Sequence, residues 1–477
     1  MMLVAIPAAP LVAAIIARLF RSATLARMAT VAASVLTLVL AAVASLVVSH
    51  RLTLVALSGW VGINPLAALI LLLQSFVGLT AAIYSWSYIP RITGHDVGRE
   101  QRYFVNLNLF MASLFVVPLL LQPALAWVAV ELTTLLSVFL VSFDNTRLAL
   151  EAAWKYAVIT IMGATVAVLG IFLLLWGLVR EHGRVETWHN LIQAAPHLPP
   201  GVVEVAFVLI LVGFGAKVGL VPLHTWLPDA HSQAPTPVCA LLSGVEVTTV
   251  LYVVMRLWPA FTAVPHFPVE TWASAFGLIS VGVAAFLLLQ VHDFKRLFAF
   301  STVEHMGILL LALGLGPLGV YACMYQLLTH GLTKSLAFYG AGATVLATGT
   351  REIAGVRGLL RVSPVAAVAL FLGALAIAGA PPFAVFLSEL SVFQSALAVR
   401  AYVVLALLLL FLAIAFLAIM RHVGGMLFGA PSHPTARIPG MLVAAMTVGW
   451  IPVLLLGVYL PTPLHHLFVL AAGTIGR

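Results

Sequence analysis

Charge is scarce in this chain. Asp, Glu, Lys and Arg together supply 8% of its 477 residues, where a soluble domain carries about 25%. So little charge cannot cover a wetted surface, which excludes a soluble globular fold. Cysteine is scarcer still: Cys239 and Cys323 stand far apart, each inside an apolar stretch. No CxxC, haem-attachment or zinc spacing exists, so iron–sulfur, haem and structural zinc sites are not expected. Both thiols read as small core residues. A nucleotide loop is missing too, and the chain is expected to hold no cofactor and no redox centre of its own. Neither a low-complexity linker nor a domain boundary interrupts it, so residues 1–477 read as a single polytopic membrane domain.

What the chain has in excess is apolar length, 63% of its residues being hydrophobic. A span needs about 20 such residues. Hydropathy marks fourteen, near 2–20, 30–49, 64–89, 103–121, 123–143, 154–178, 202–222, 236–257, 271–290, 297–315, 317–347, 365–398, 401–421 and 440–460. The expectation is an all-α integral membrane protein of about fourteen transmembrane helices. Its first stretch lacks a basic leader and a small-residue cleavage site and reads as the first span. Fifteen of the 23 Lys and Arg residues fall in odd-numbered loops, among them Arg18, Arg91, Lys295 and Arg351; only Arg51, Arg180, Arg184, Arg256 and Arg400 fall in even-numbered ones. The odd loops are therefore cytoplasmic and both termini, including Arg477, non-cytoplasmic. The net charge of +8 is spread over these short loops, so it marks topology and not a nucleic-acid surface. The longest polar stretch, 180–200, is an outside loop.

Two spans carry internal prolines. The seventh runs on through Lys217, Pro222, His224, Pro228, Asp229, His231, Pro235 and Pro237; the twelfth holds Pro381-Pro382, with Glu389 beyond. Proline removes an amide donor and clashes with the preceding turn, so helices 7 and 12 must break. Broken helices persist at membrane depth only where protein buries them or they line a cavity. A matched pair of breaks points to two inverted five-helix repeats, spans four to eight and nine to thirteen.

Charges inside spans are the other exception. A charge at the bilayer centre costs roughly 2.5–3.5 kcal/mol on insertion scales, yet Glu131 interrupts AWVAVELTTLLSVFL and Lys217 interrupts VLILVGFGAKVGLV. They form a natural pair to propose. Such a pair is either a lock between two helices or a switch, because breaking it changes the proton affinity of both groups. His330 and Lys334, four residues apart in YQLLTHGLTKSLAFYGAG, share a helix face beside Thr329, Thr333 and Ser335, an arrangement suited to a proton relay. Glu246 stands at comparable depth, and Glu389 would be an exit-side group. His224, Asp229 and His231 cluster at the first break, but their spacing matches no standard ligand geometry, so no metal is expected.

The stretch GFGAKVGLVPLHTWLPDAHSQAPTPVCALLSG resembles the antiporter-like proton-conducting subunit family of respiratory complex I, Mrp-type antiporters and group 4 hydrogenases. The resemblance covers roughly residues 60–430, through YSWSYI at 84–89, WVAVELTTLLS at 127–137, DFKRLFAFSTVEHMG at 293–307, HGLTKSLAF at 330–338 and AIAGAPPF at 376–383. STVEHMG and PPFAVFLSEL are most similar to the hydrogenase-4 F-type subunit. The resemblance implies the same fold, a proton-conducting core at about 103–421, and Glu131, Lys217, Lys334 and Glu389 as its path, with His330 between them. It implies a bacterial cytoplasmic membrane and, as partners, other membrane subunits and a peripheral hydrogenase- or dehydrogenase-type redox arm. Two rival readings share the scaffold: an Mrp-type Na⁺/H⁺ antiporter module and the membrane subunit of an inorganic-carbon uptake complex. The chain departs from the family where Thr248 stands for the usual Lys or Asn of the eighth span, and where Asn64 stands for an Asp. Glu246, two residues before Thr248, lies about 200° around a regular helix from it. It is expected either to face the cavity on a rotated helix or to pair with a base elsewhere.

Overall fold

The computed structural model describes residues 1–182 and 187–476. Arg184 and Arg477 of the loop census, and 183–186 of the outer loop, lie outside them. The described helices are, in order, α1 (Met2–Leu19), α2 (Ala23–Arg51), α3 (Pro65–Thr93), α4 (Val97–Leu119), α5 (Pro123–Val141), α6 (Arg147–His182), α7 (Trp188–Ala194), α8 (Pro200–Val218), α9 (Trp226–Gln233), α10 (Thr236–Leu241), α11 (Val247–Thr262), α12 (Val269–Leu288), α13 (Phe294–Leu313), α14 (Gly316–Thr348), α15 (Leu359–Val362), α16 (Pro364–Ile377), α17 (Ala384–Ala398), α18 (Tyr402–Leu427), α19 (Gly440–Val458) and α20 (Thr462–Gly473). A π-turn, Leu242–Glu246, joins α10 to α11. Counting that run as one, 12 helices are long and apolar enough to cross a membrane. The class is all-α and membrane-embedded, as the hydropathy requires.

Helix ends follow local chemistry. Asn64 caps α3 by accepting from the Ala67 amide at 2.9 Å, and Pro65 follows at the first helical position, where its missing amide is harmless. Asp96 caps α4 through the Arg99 amide, which holds its carboxyl below the usual carboxylate range. Asp293 caps α13 through the amides of Lys295 and Arg296.

The proline-rich segments break as expected, with more structure than expected. Gly219, in the left-handed region at φ 86°, ends α8, and the proline run then forms a separate helix, α9, before α10 begins. The second break separates α16 from α17 across 378–383. A hairpin of Leu54–Ala56 with Val61–Ile63 and the terminal α20 lie outside the expected spans.

The core sits where α3, the α10–α11 run, α13 and α14 meet. The α10–α11 window is wholly buried, against 22% for α18. Between helices in lipid there is no hydrophobic driving force, so close packing of small residues does the work. Gly244 of the π-turn and Gly331 of α14 show it: a Cβ on either would stand 2.6–2.7 Å from the other's carbonyl oxygen. Buried polar groups also need partners. Thr80 and Tyr84 of α3 bond to the hydroxyl and carbonyl of Tyr339 at 3.0 and 2.9 Å, and Gln74 donates to Thr249 at 2.9 Å.

Candidate functional site

Lys217 occupies the last turn of α8, immediately before the break, and is 2% exposed. Its ammonium donates to Glu131 Oε1 of α5 at 2.7 Å and to the Val130 carbonyl at 2.9 Å. The structure thus brings the two intramembrane charges into direct contact. Removing one partner of a buried ion pair costs about 3–5 kcal/mol, less here because the Glu131 side chain is 20% exposed.

Glu246 lies near this pair. Its Oε1 accepts from Tyr156 at 2.8 Å, Thr133 at 3.3 Å and Ser137 at 3.4 Å. The two α5 hydroxyls are four residues apart on one face, that of a helix whose Glu131 holds Lys217. Neither expected placement of Glu246 describes it fully: no base touches it among the described residues, and the chain is not a regular helix there. The π-turn adds a residue to one helical turn, which changes the facing of Glu246 relative to α11. Thr248 returns its hydroxyl to the Gly244 and Val245 carbonyls, and it makes no hydrogen bond to a charged group among the described residues.

The same π-turn leads to the second half. Ser243 exchanges a hydroxyl bond with Thr302 of α13 at 2.7 Å, and its carbonyl accepts from His330 Nε2 at 3.2 Å. His330 Nδ1 has no hydrogen-bond partner among the described residues. The His305 ring lies 4.9 Å from the His330 ring. His305 Nε2 donates to the Ile377 carbonyl at 3.0 Å, so its Nδ1 is the acceptor for Gln326 Nε2, also at 3.0 Å. Both of its nitrogens are engaged.

Lys334 shares a face of α14 with His330 but reaches a different neighbour. Its ammonium bonds to the Phe298 carbonyl at 2.9 Å and to the Ser301 hydroxyl, both on α13. Glu389, on α17 just past the second break, is 7% exposed. Its carboxylate lies against Gly379, where a Cβ would stand 2.3 Å from Oε2 and displace it; the backbone there, at φ 72°, favours glycine.

The residues at the first break part company. Asp229 pairs with Lys155 at 3.2 Å and with Arg296. His231 Nδ1 donates to the Leu227 carbonyl at 2.8 Å, and the His224 ring faces Phe300. Lys295 and Arg351 cap the free carbonyls at the buried end of α9, at Ser232 and Ala234, where cations suit the helix dipole. These side chains clamp the break; they do not converge on one point.

Glu304, His305, Tyr156, Gln326 and Ser388 are not among the residues expected from the sequence. Glu304 and His305 obey the rule that singled out Glu131, an ionisable group inside an apolar span, and both stand within the STVEHMG run; Tyr156, Gln326 and Ser388 are ordinary polar residues that carry no such mark in one dimension.

Residues 122–448 match the profile of the NADH:quinone oxidoreductase/Mrp antiporter transmembrane family. The chain is similar to the hydrogenase-4 component F homolog of Methylacidiphilum infernorum, 36% identical over 421 residues that cover 86% of this chain and 84% of the relative. It is also similar to hydrogenase-4 component B of Escherichia coli, 30% identical over 416 residues, covering 80% of this chain but 60% of that longer protein. Among solved structures it matches a chain of the membrane-bound sulfane sulfur reductase, an archaeal respiratory membrane complex, with TM-score 0.90 and 24% identity over 100% of this chain and 98% of the other. That likeness concerns the fold.

Proposed function

This chain belongs to the NADH:quinone oxidoreductase/Mrp antiporter transmembrane family, and from that premise we propose that it moves protons across the membrane as a subunit of a redox-driven complex of hydrogenase-4 or NADH dehydrogenase type. Its partners are other membrane subunits and a peripheral redox arm. The conducting core is about 103–421, within fourteen crossings of which ten, spans four to eight and nine to thirteen, form two inverted five-helix repeats. The path is Glu131, Lys217, His330, Lys334 and Glu389, with Glu246 as an added acid between the halves. The loop-charge bias puts both termini on the non-cytoplasmic side of a bacterial cytoplasmic membrane.

The observation that carries the reading is the Glu131–Lys217 contact of 2.7 Å at a helix break, from which buried polar side chains continue towards Glu389. A contact pair stores charge separation: when an approaching charge pulls it apart, both members change their proton affinity. One charge moved across 100 mV costs about 2.3 kcal/mol, so each redox step in the partner arm must supply at least that per proton.

The test is proton translocation by the assembled complex in proteoliposomes. Glu131→Gln and Lys217→Ala should each lower it by roughly 10²-fold, the lower end of what a positioned proton-transfer group contributes. Full translocation in both variants overturns the path. Orientation is read separately with single cysteines at His95 and Gly476, since both native thiols are buried. Labelling of the Gly476 position from the cytoplasm overturns the assigned sidedness.

A further inference from the structure

In the second half of the proposed path Lys334 lies on α14 and Glu389 on α17; these helices meet through the Thr329 and Ser388 hydroxyls at 2.8 Å, but the hydrogen bonds of Lys334 itself go to α13. On α13, Glu304 follows Ser301 by three residues, so the carboxylate and the ammonium bound at Ser301 share one helix face. Exposure rises in the order Lys334 0%, Glu304 3%, Glu389 7%. The flanking residues are tied together. His305 accepts from Gln326 at 3.0 Å, and Gln326 accepts from Ser388 at 2.5 Å, so α13, α14 and α17 are joined at the level of both acids. Glu304 thus lies within electrostatic reach of both Lys334 and Glu389.

We propose that Glu304 is the proton carrier that links Lys334 to Glu389. The inference rests on the proton-path reading above and adds a residue to it. In the first transfer an N–H bond of the Lys334 ammonium breaks and an O–H bond forms on the Glu304 carboxylate, leaving a neutral amine and a neutral acid. In the second, the Glu304 O–H breaks and the proton passes to the Glu389 carboxylate, while Lys334 recovers its proton from the His330 side. The nearest competing titratable group on α13, His305, has both ring nitrogens in hydrogen bonds. His330 faces the π-turn.

The experiment compares Glu304→Gln and Glu304→Asp with wild type in the assembled complex, measuring proton translocation in proteoliposomes across a pH range, with Lys217→Ala as reference. Glu304→Gln should assemble, retain electron transfer in detergent and lose roughly 10²-fold in translocation. Glu304→Asp should translocate measurably, with a displaced pH profile. Translocation by Glu304→Gln within about twofold of wild type, with Lys217→Ala inactive, overturns the carrier role and leaves the path standing; full activity in both overturns the path itself. If Glu304→Gln does not assemble, Glu304→Asp decides: an unchanged pH profile, with flux merely proportional to assembled complex, assigns Glu304 to structure and overturns the proposal.

Discussion

Lys217 and Lys334 are both buried to 2% or less, yet they are compensated in different ways. Lys217 touches a carboxylate at 2.7 Å; the hydrogen bonds of Lys334 go to a carbonyl and a hydroxyl of α13. In the first half of the axis, opposite charges are in contact beside a helix end, and a third charge, Glu246, is held by three hydroxyls a short distance away. In the second half, the ionisable groups are spaced, with neutral amides, hydroxyls and an imidazole between them. A contact pair holds its charge in place until something separates it. Spaced groups joined by neutral polar side chains suit hand-to-hand transfer. On the proposed path, this difference suits the first half to holding charge and the second to passing protons on.

Breaking each lysine separately tests that assignment and carries the largest expected effect. Lys217→Met strands the Glu131 carboxylate and should lower both translocation and the thermal midpoint of the purified complex, the stability loss being of order 1–3 kcal/mol once the partial exposure of Glu131 is allowed for. Lys334→Met removes a charge from neutral partners. It should abolish translocation to the same extent with a clearly smaller midpoint change. Combining Lys217→Met with Glu131→Gln should recover stability and not flux. Equal midpoint losses in the two single variants would erase the distinction between the halves.

The fold was legible in the sequence wherever it rests on hydropathy or proline. The helix-rich membrane class follows from 8% charge, and the breaks after α8 and α16 follow from prolines that cannot continue a helix. The Glu131–Lys217 contact was open to proposal because two opposite charges in apolar spans each need a partner. The π-turn was not legible, because no residue type encodes it. Glu246 is hard to place for the same reason: an offset of about 200° from Thr248 holds only for a regular helix, and Glu246 ends the π-turn. The cradle of Thr133, Ser137 and Tyr156 consists of ordinary residues from two helices and acquires meaning only in three dimensions. Metal ligation at His224, Asp229 and His231, discounted on spacing, would require Asp229 to leave two basic partners.

Glu246 sharpens the boundary between the halves. Glu246→Gln keeps the shape and most of the cradle but removes the charge, so assembly should be unaffected and translocation should fall by roughly tenfold, less than a lysine loss. Tyr156→Phe deletes the shortest of its three hydrogen bonds and should give a smaller decrease in the same direction. Normal translocation with poor assembly in Glu246→Gln would place this acid in the scaffold, and the two halves would then be linked only through Ser243 and His330.

The smallest effect is expected at the rim, where the comparison predicts that charge contributes little. Asp229 is flanked by Lys155 and Arg296, whose side chains are 46% and 43% exposed, and Lys155 is shared with Glu151 at 2.7 Å. Exposed ion pairs are worth about 0–1 kcal/mol and weaken as salt screens them. Asp229→Asn preserves the volume and a hydrogen-bonding oxygen for Arg296, and Lys295 and Arg351 still cap the end of α9. Translocation should therefore stay within about twofold of wild type, and added salt should narrow the remaining difference in thermal midpoint. A loss as deep as that of Lys217→Met, insensitive to salt, would mean that Asp229 feeds protons to the axis. The polar path would then begin at the first break and not at Glu131.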